Sequence, residues 1–204
     1  REAAGLYEAA LAAAPARDEA PEAAMNAAYA YKQVGEFNKA IELYQKFIAE
    51  YGNEERLTAL QKGDPKTKKG PDPKRYEERV KYLSDAYDAL SSSYYGFFNY
   101  VRAAETFEKI STIDRFDAKK RKDAARNALI LYANMRMKDR MMNTYNTFIK
   151  LSPTAEEKAN ADYIVADYEF KQWNPQGGDG GANRQTRMAA TGALSAFYQK
   201  NWNN

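Results

Sequence analysis

The side chains with the most chemical reach in this chain are its 28 carboxylates and 16 tyrosines, because histidine and cysteine are both absent. Without those two residues no Ser-His-Asp or Cys-His nucleophile can be assembled, and disulfides and Cys/His zinc sites are excluded. Hydrolytic chemistry would then need converging carboxylates. The pairs Glu54-Glu55, Glu77-Glu78 and Glu156-Glu157 are sequence neighbours, which point about 100° apart on a helix and do not converge. The run Gly177-Gly178-Asp179-Gly180-Gly181 lacks the Lys-Ser/Thr of a phosphate loop and the alternating acids of a calcium loop, so it reads as a flexible linker. No catalytic residue, cofactor site or metal site is expected, and the chain reads as a non-enzyme.

The tyrosines Tyr29, Tyr31, Tyr44, Tyr87, Tyr94, Tyr95 and Tyr100 could in principle stack nucleobases. Their intervals point instead to the elements that hold them. Residues 24–48 read AMNAAYAYKQVGEFNKAIELYQKFI, with Ala27-Ala28, Tyr31, Gly35, Phe37, Ala40, Tyr44 and Phe47 in register. The same order returns as Leu90-Ser91, Tyr94, Tyr100, Ala103, Phe107 and Ile110, and more loosely as Ala128-Leu129, Tyr132, Lys138, Met141, Tyr145, Phe148 and Pro153. Small residues let two helix backbones approach to about 8–10 Å, and aromatics fill the wedge beside them. Gly35 supplies the positive φ that ends the first helix of the pair. Abundant Ala, Lys and Glu with sparse Val and Ile favour helix over sheet throughout.

These positions resemble the tetratricopeptide repeat, a unit of two antiparallel helices in about 34 residues. The resemblance implies an all-α fold: a TPR-type α-solenoid of antiparallel helix pairs forming a right-handed superhelix. Residues 1–204 would be one solenoid fragment. Within it, 1–15 reads as the second helix of an earlier, truncated repeat, so that the chain is expected to begin inside a longer array. Repeats follow at 22–52, 80–115 and 118–153. Met141, where the family places alanine, should spread the third pair or meet a smaller neighbour.

Tyr31 and Tyr94 are 63 residues apart and Tyr94 and Tyr132 are 38 apart, so an insertion separates the first two repeats. It spans 53–79, as a helix extension through EERLTALQK followed by a mobile basic Pro/Gly loop. Residues 154–204 read as a degenerate helix pair around a glycine-rich loop at 174–184. Its first helix opens on Thr154 and Glu157 at capping-box spacing, and its second packs through Met188, Ala193, Leu194, Phe197 and Trp202.

Carrying the family's concave-groove positions onto this chain selects Glu22, Met25, Tyr29 and Lys32, then Asp85, Asp88, Ser92 and Tyr95, then Asp123, Arg126, Ile130 and Ala133, with Asn26 and Asn127 alongside. The resemblance implies that this groove holds a protein or peptide partner, with Met25, Tyr29 and Tyr95 as anchors. Acidic Glu22, Asp85 and Asp88 would repel a C-terminal carboxylate, which argues against the chaperone-tail recognition of the best-known subgroup. Homo-association through exposed repeat ends is the alternative.

With 31 basic and 28 acidic side chains the charge is too balanced to call for nucleic acid. The basic runs 62–75 and 115–126, each with six basic against two acidic residues, read as a solvated loop and a solvated helix start, or as contacts to phosphate or an anionic membrane. The longest apolar run, Ala128 to Ala133, is far short of the ~20 residues of a membrane span. GEFNKAIELYQKFIAEYG also resembles repeat proteins of the bacterial cell envelope, scaffolds in outer-membrane assembly, cell-wall coordination or gliding motility. That likeness implies a periplasmic scaffold, with the cytoplasm as alternative.

Overall fold

The computed structural model describes residues 2–173 and 181–201. It is all-α: among the described residues there are ten helices, and the only β pairing is an isolated bridge between Asp64 and Lys69. The chain divides into two compact units, Arg1–Asn99 and Tyr100–Asn204. The boundary falls inside the repeat expected at 80–115, so the two helices of that repeat belong to different units.

The first unit contains α1 (Glu2–Ala13), α2 (Ala20–Gln33), α3 (Phe37–Glu50), α4 (Glu54–Lys62) and α5 (Pro73–Gly96). Pro21 sits in the first turn of α2, where its missing N–H leaves no bond unmade. At the far end Gly35 takes φ 79°. The Glu36 N–H then donates to the Tyr31 carbonyl at 2.9 Å and the Gly35 N–H to that of Lys32 at 3.2 Å, the pairing of a Schellman corner that folds α3 back on α2. Ala24, Ala27, Ala28 and Ala40 are fully buried and let these helices close together, with Tyr44 and Phe47 packed beside them. Each buried large side chain contributes roughly 1.5–3 kcal/mol. α1 packs on α2, and α5 packs on α2, α3 and α4.

EERLTALQK is a separate helix, α4, rather than an extension of α3. Asn53 is the reason, since its side chain accepts from the Arg56 N–H at 3.0 Å and starts a new helix. The irregular part of the insertion is thereby confined to 63–72. It is closed by bonds from the Asp64 N–H to the Lys69 carbonyl and from the Asp72 N–H to the Leu60 carbonyl, both 2.8 Å. Asp72 caps α5 through the Arg75 N–H at 3.1 Å.

The second unit contains α6 (Tyr100–Ser111), α7 (Ala118–Asn134), α8 (Lys138–Lys150), α9 (Ala155–Gln172) and α10 (Gly181–Asn201). Each packs on its successor from α6 to α10, and α7 also meets α9. Met141 is fully buried on α8, which packs against α7. Thr154 and Glu157 form the capping box at the start of α9, each side chain bonding the other's backbone N–H.

The corner at Gly35 recurs without glycine. Phe98 after α5 has φ 59° and Arg136 after α7 has φ 58°, and the next residue's N–H donates to the Tyr94 or Tyr132 carbonyl at 2.9 Å.

Three residues expected in the core lie outside it. Phe37 is 37% exposed, Tyr100 36% and Met188 63%. Phe37 and Tyr100 stand at the first position of their helices, beyond the first full turn of packing. Met188 lies two residues, about 200° of helix rotation, from the buried Ala190. Trp202 and the linker residues 174–180 lie outside the described residues.

Candidate functional site

On α2 the repeat places tyrosines two residues apart with opposite fates. Tyr31 is 6% exposed and Tyr29 is 60% exposed, as follows from the roughly 200° between them on a helix. On α5 the neighbours Tyr94 and Tyr95 are 9% and 54% exposed. Of the remaining tyrosines of the ladder, Tyr44 and Tyr87 are buried.

The buried members are held by specific bonds. The Tyr31 hydroxyl donates to Glu8 Oε2 at 2.7 Å, with Lys39 Nζ 4.9 Å from its ring centroid. The Tyr94 hydroxyl accepts from Gln45 Nε2 at 2.7 Å, fixing α5 to α3. Tyr44 has its phenol pushed up to about 12 by burial first, then by the nearby groups of Tyr29 and Asp85.

The groove residues selected from the first two repeats lie on two helices of the first unit, α2 and α5. Tyr29, Asp85, Asp88, Ser92 and Tyr95 are exposed on α2 and α5, and Asn26 and Lys32 are half-buried. Met25 differs: at 9% exposure it is a core side chain, and it cannot anchor a partner without repacking. The face is acidic as well as aromatic. Burial raises the Tyr82 phenol, and the carboxylates of Glu22, Glu78 and Asp85 raise it further against the opposing charge of Arg79. Arg126 and Asn127 are exposed on α7 and belong to the second unit.

In that unit a hollow of about 340 Å³ opens between α7 and α9, lined by Ile130, Ala133, Tyr163, Ile164, Asp167 and Gln172 among others. Ile130 and Ala133 were selected by groove position. Tyr163, 52% exposed, was not singled out because the last helix pair departs from the repeat pattern. Its ring packs edge-on against Phe197 at 5.7 Å. The pattern ADYIVADY, with aromatics five residues apart, was the available signal.

A second exposed apolar group also escaped the sequence reading. Phe97 is 47% exposed beside Phe37, with ring centroids 4.9 Å apart. Phe37 occupies a packing position of the repeat, and Phe97 carries no repeat signal.

Among the described residues no helix is long and apolar enough to cross a membrane. What the fold and these surfaces define is an all-α protein of packed helical hairpins carrying exposed aromatic side chains. No protein-family model matches the chain, and comparison with curated proteins gives no significant match.

Proposed function

We propose that the chain is a non-catalytic interaction module of tetratricopeptide type, whose α2/α5 face holds a segment of a partner protein. The observation that carries this reading is the exposure of Tyr29 and Tyr95 beside buried Tyr31 and Tyr94. Core packing accounts for the buried pair, and exposed tyrosines supply large contact area at low entropic cost. The recurrence of one helix corner at Gly35, Phe98 and Arg136 supports reading the hairpins as repeats. Glu22, Asp85 and Asp88 favour a partner segment rich in Lys or Arg and disfavour a free C-terminus. The likeness of GEFNKAIELYQKFIAEYG to cell-envelope repeat proteins assigns the module to a multiprotein complex of the bacterial envelope, in outer-membrane assembly or gliding motility, on its periplasmic side.

The test is a peptide-display selection against the wild-type chain, followed by fluorescence anisotropy of the selected peptides. They should be enriched in basic residues and lose at least roughly tenfold in affinity for Tyr29→Ala/Tyr95→Ala, while its far-UV circular dichroism stays that of wild type. Undiminished binding to the double variant would remove the groove reading.

A second reading is supported by α1, where Ala3, Leu6, Tyr7, Ala10 and Ala13 form an exposed apolar stripe at helical spacing. On this reading two copies associate through α1. Sedimentation equilibrium should then show a dimer that Leu6→Glu converts to monomer.

A further inference from the structure

A cavity of about 680 Å³ lies within the first unit, enclosed by the turn after α1, by α4, by the 63–72 arch and by the start of α5. It is separate from the aromatic face described above. Its walls carry five cations, Arg17, Arg56, Lys69, Arg75 and Arg79, and three carboxylates, Asp18, Asp64 and Asp72. Two of the carboxylates are ion-paired, and the third, Asp64, is hydrogen-bonded to neutral donors and keeps its charge. Arg75 reaches both Asp18, at 2.6 Å, and Asp72, at 3.3 Å, and Asp64 accepts from the Thr67 hydroxyl at 2.7 Å and the Lys66 N–H at 2.9 Å. Arg17, Arg56, Lys69 and Arg79 have no carboxylate partner among the described residues.

Arg79 is the most enclosed of them. Its guanidinium lies 5.6 Å from the Tyr51 ring centroid and donates from Nη1 to the Tyr51 carbonyl at 3.1 Å, which satisfies one of five N–H donors. Burial pulls its pKa down, and the positive charges of Arg56 and Arg75 pull further, against the opposing influence of Tyr51 and Asp18. A protein would relieve that repulsion by placing an anion there. The arch is pre-formed for the purpose: Gly63 has φ 91°, and a Cβ on it would come within 3.0 Å of the Lys69 carbonyl oxygen. Leu60, Ala59 and Pro71 add an apolar side to the same cavity.

We propose that this cavity binds a phosphate group, a monoester or a diphosphate, held by the forks of Arg56 and Arg79 with Arg17 and Lys69 at the mouth. Two or more negative charges match the unneutralised cations, and the planar guanidinium fork suits the tetrahedral oxyanion. The group could belong to a soluble molecule or to a lipid headgroup, and the two share this chemistry.

Isothermal titration calorimetry of the full chain with inorganic pyrophosphate tests the site, alongside co-sedimentation with vesicles of phosphatidylcholine alone or containing phosphatidic acid. Expected is pyrophosphate binding that weakens at least roughly tenfold in Arg56→Gln, an exposed side chain whose loss leaves the α4 backbone cap intact. Lys119→Gln/Lys120→Gln, which removes two cations from the other basic run, should bind as wild type. Phosphatidic-acid vesicles that bind and are competed off by pyrophosphate identify a headgroup site, and binding of pyrophosphate alone identifies a soluble ligand. Absence of binding to both probes overturns the proposal, as does an equal loss in the Lys119/Lys120 variant, which marks diffuse charge attraction.

Discussion

The Tyr132 hydroxyl donates to Glu108 Oε2 at 2.7 Å, joining the end of α7 to α6. Arg140 from α8 reaches the same oxygen at 2.9 Å and lies 5.9 Å from the Tyr132 ring centroid. Tyr31, Glu8 and Lys39 repeat this arrangement in the first unit. One tyrosine thus pins its helix to the helix before it and takes a cation from the helix after it.

Tyr132→Phe keeps the packing and removes that bond, and Glu108 retains Arg140. A loss of about 1 kcal/mol is expected, read as a Tm lowered by roughly 2–4 °C. Tyr31→Phe should cost less, because its hydroxyl reaches Glu8 at the rim. Calorimetry showing the larger loss for Tyr31→Phe would contradict this account of the two bonds.

Backbone conformation can be tested at equivalent corners. Gly35 has open space where a Cβ would stand, so Gly35→Ala meets no neighbour and should lose only the cost of a left-handed backbone, about 1–2 kcal/mol. Arg136 already bears that cost at φ 58°, and Arg136→Gly should raise Tm slightly or leave it unchanged. Chemical denaturation of both variants measures the contrast; a marked destabilisation by Arg136→Gly would show that its side chain matters more than its φ.

Thr144 is 1% exposed, and its hydroxyl has no hydrogen-bond partner among the described residues. Valine has nearly the same shape without the polar atom. Thr144→Val should therefore stabilise the second unit by about 1 kcal/mol, whereas Thr144→Ala, which leaves a void, should not. A lower denaturation midpoint for the valine variant would mean that the hydroxyl is satisfied.

The α9/α10 pair should be acid-sensitive through Asp162. Burial pushes this carboxyl up, but the bonds from Lys200 at 2.6 Å and from Tyr145, with the charge of Lys158, outweigh burial and hold it below its ordinary 3.8. A depressed carboxylate stabilises the fold fully above its unfolded value, and that contribution fades as pH falls through the folded value. Wild type should exceed Asp162→Asn in stability at neutral pH, with the gap closing below about pH 3.8. Urea unfolding of both across the acid range reads this directly, and a gap independent of pH would exclude the linkage.

The Gly35 corner and the small buried residues were legible in the sequence, because both are local consequences of residue type and helical period, whereas the corners at Phe98 and Arg136 carry no glycine to announce them. Ala28, Ala40 and Phe47 read as core and are buried, and Thr154 read as a cap and is one. Asn53 is as local a signal, yet it was absorbed into an extended α3, since a capping side chain can be recognised only once the preceding helix is known to stop. Met25 was misplaced because groove positions were carried over from a pattern, while the burial of a flexible apolar side chain depends on the packing available beside it.

The sequence by itself determined that the chain is helical, that histidine and cysteine chemistry is excluded, and which tyrosines repeat. Only the tertiary structure decided which of those tyrosines face water, and that Arg56 and Arg79, 23 positions apart in sequence, line one cavity while the nearby carboxylates are spent on other partners. Periodicity is a property of one helix and survives in the sequence. Charge compensation depends on distances between separate elements, which exist only once α4, the arch and α5 have packed.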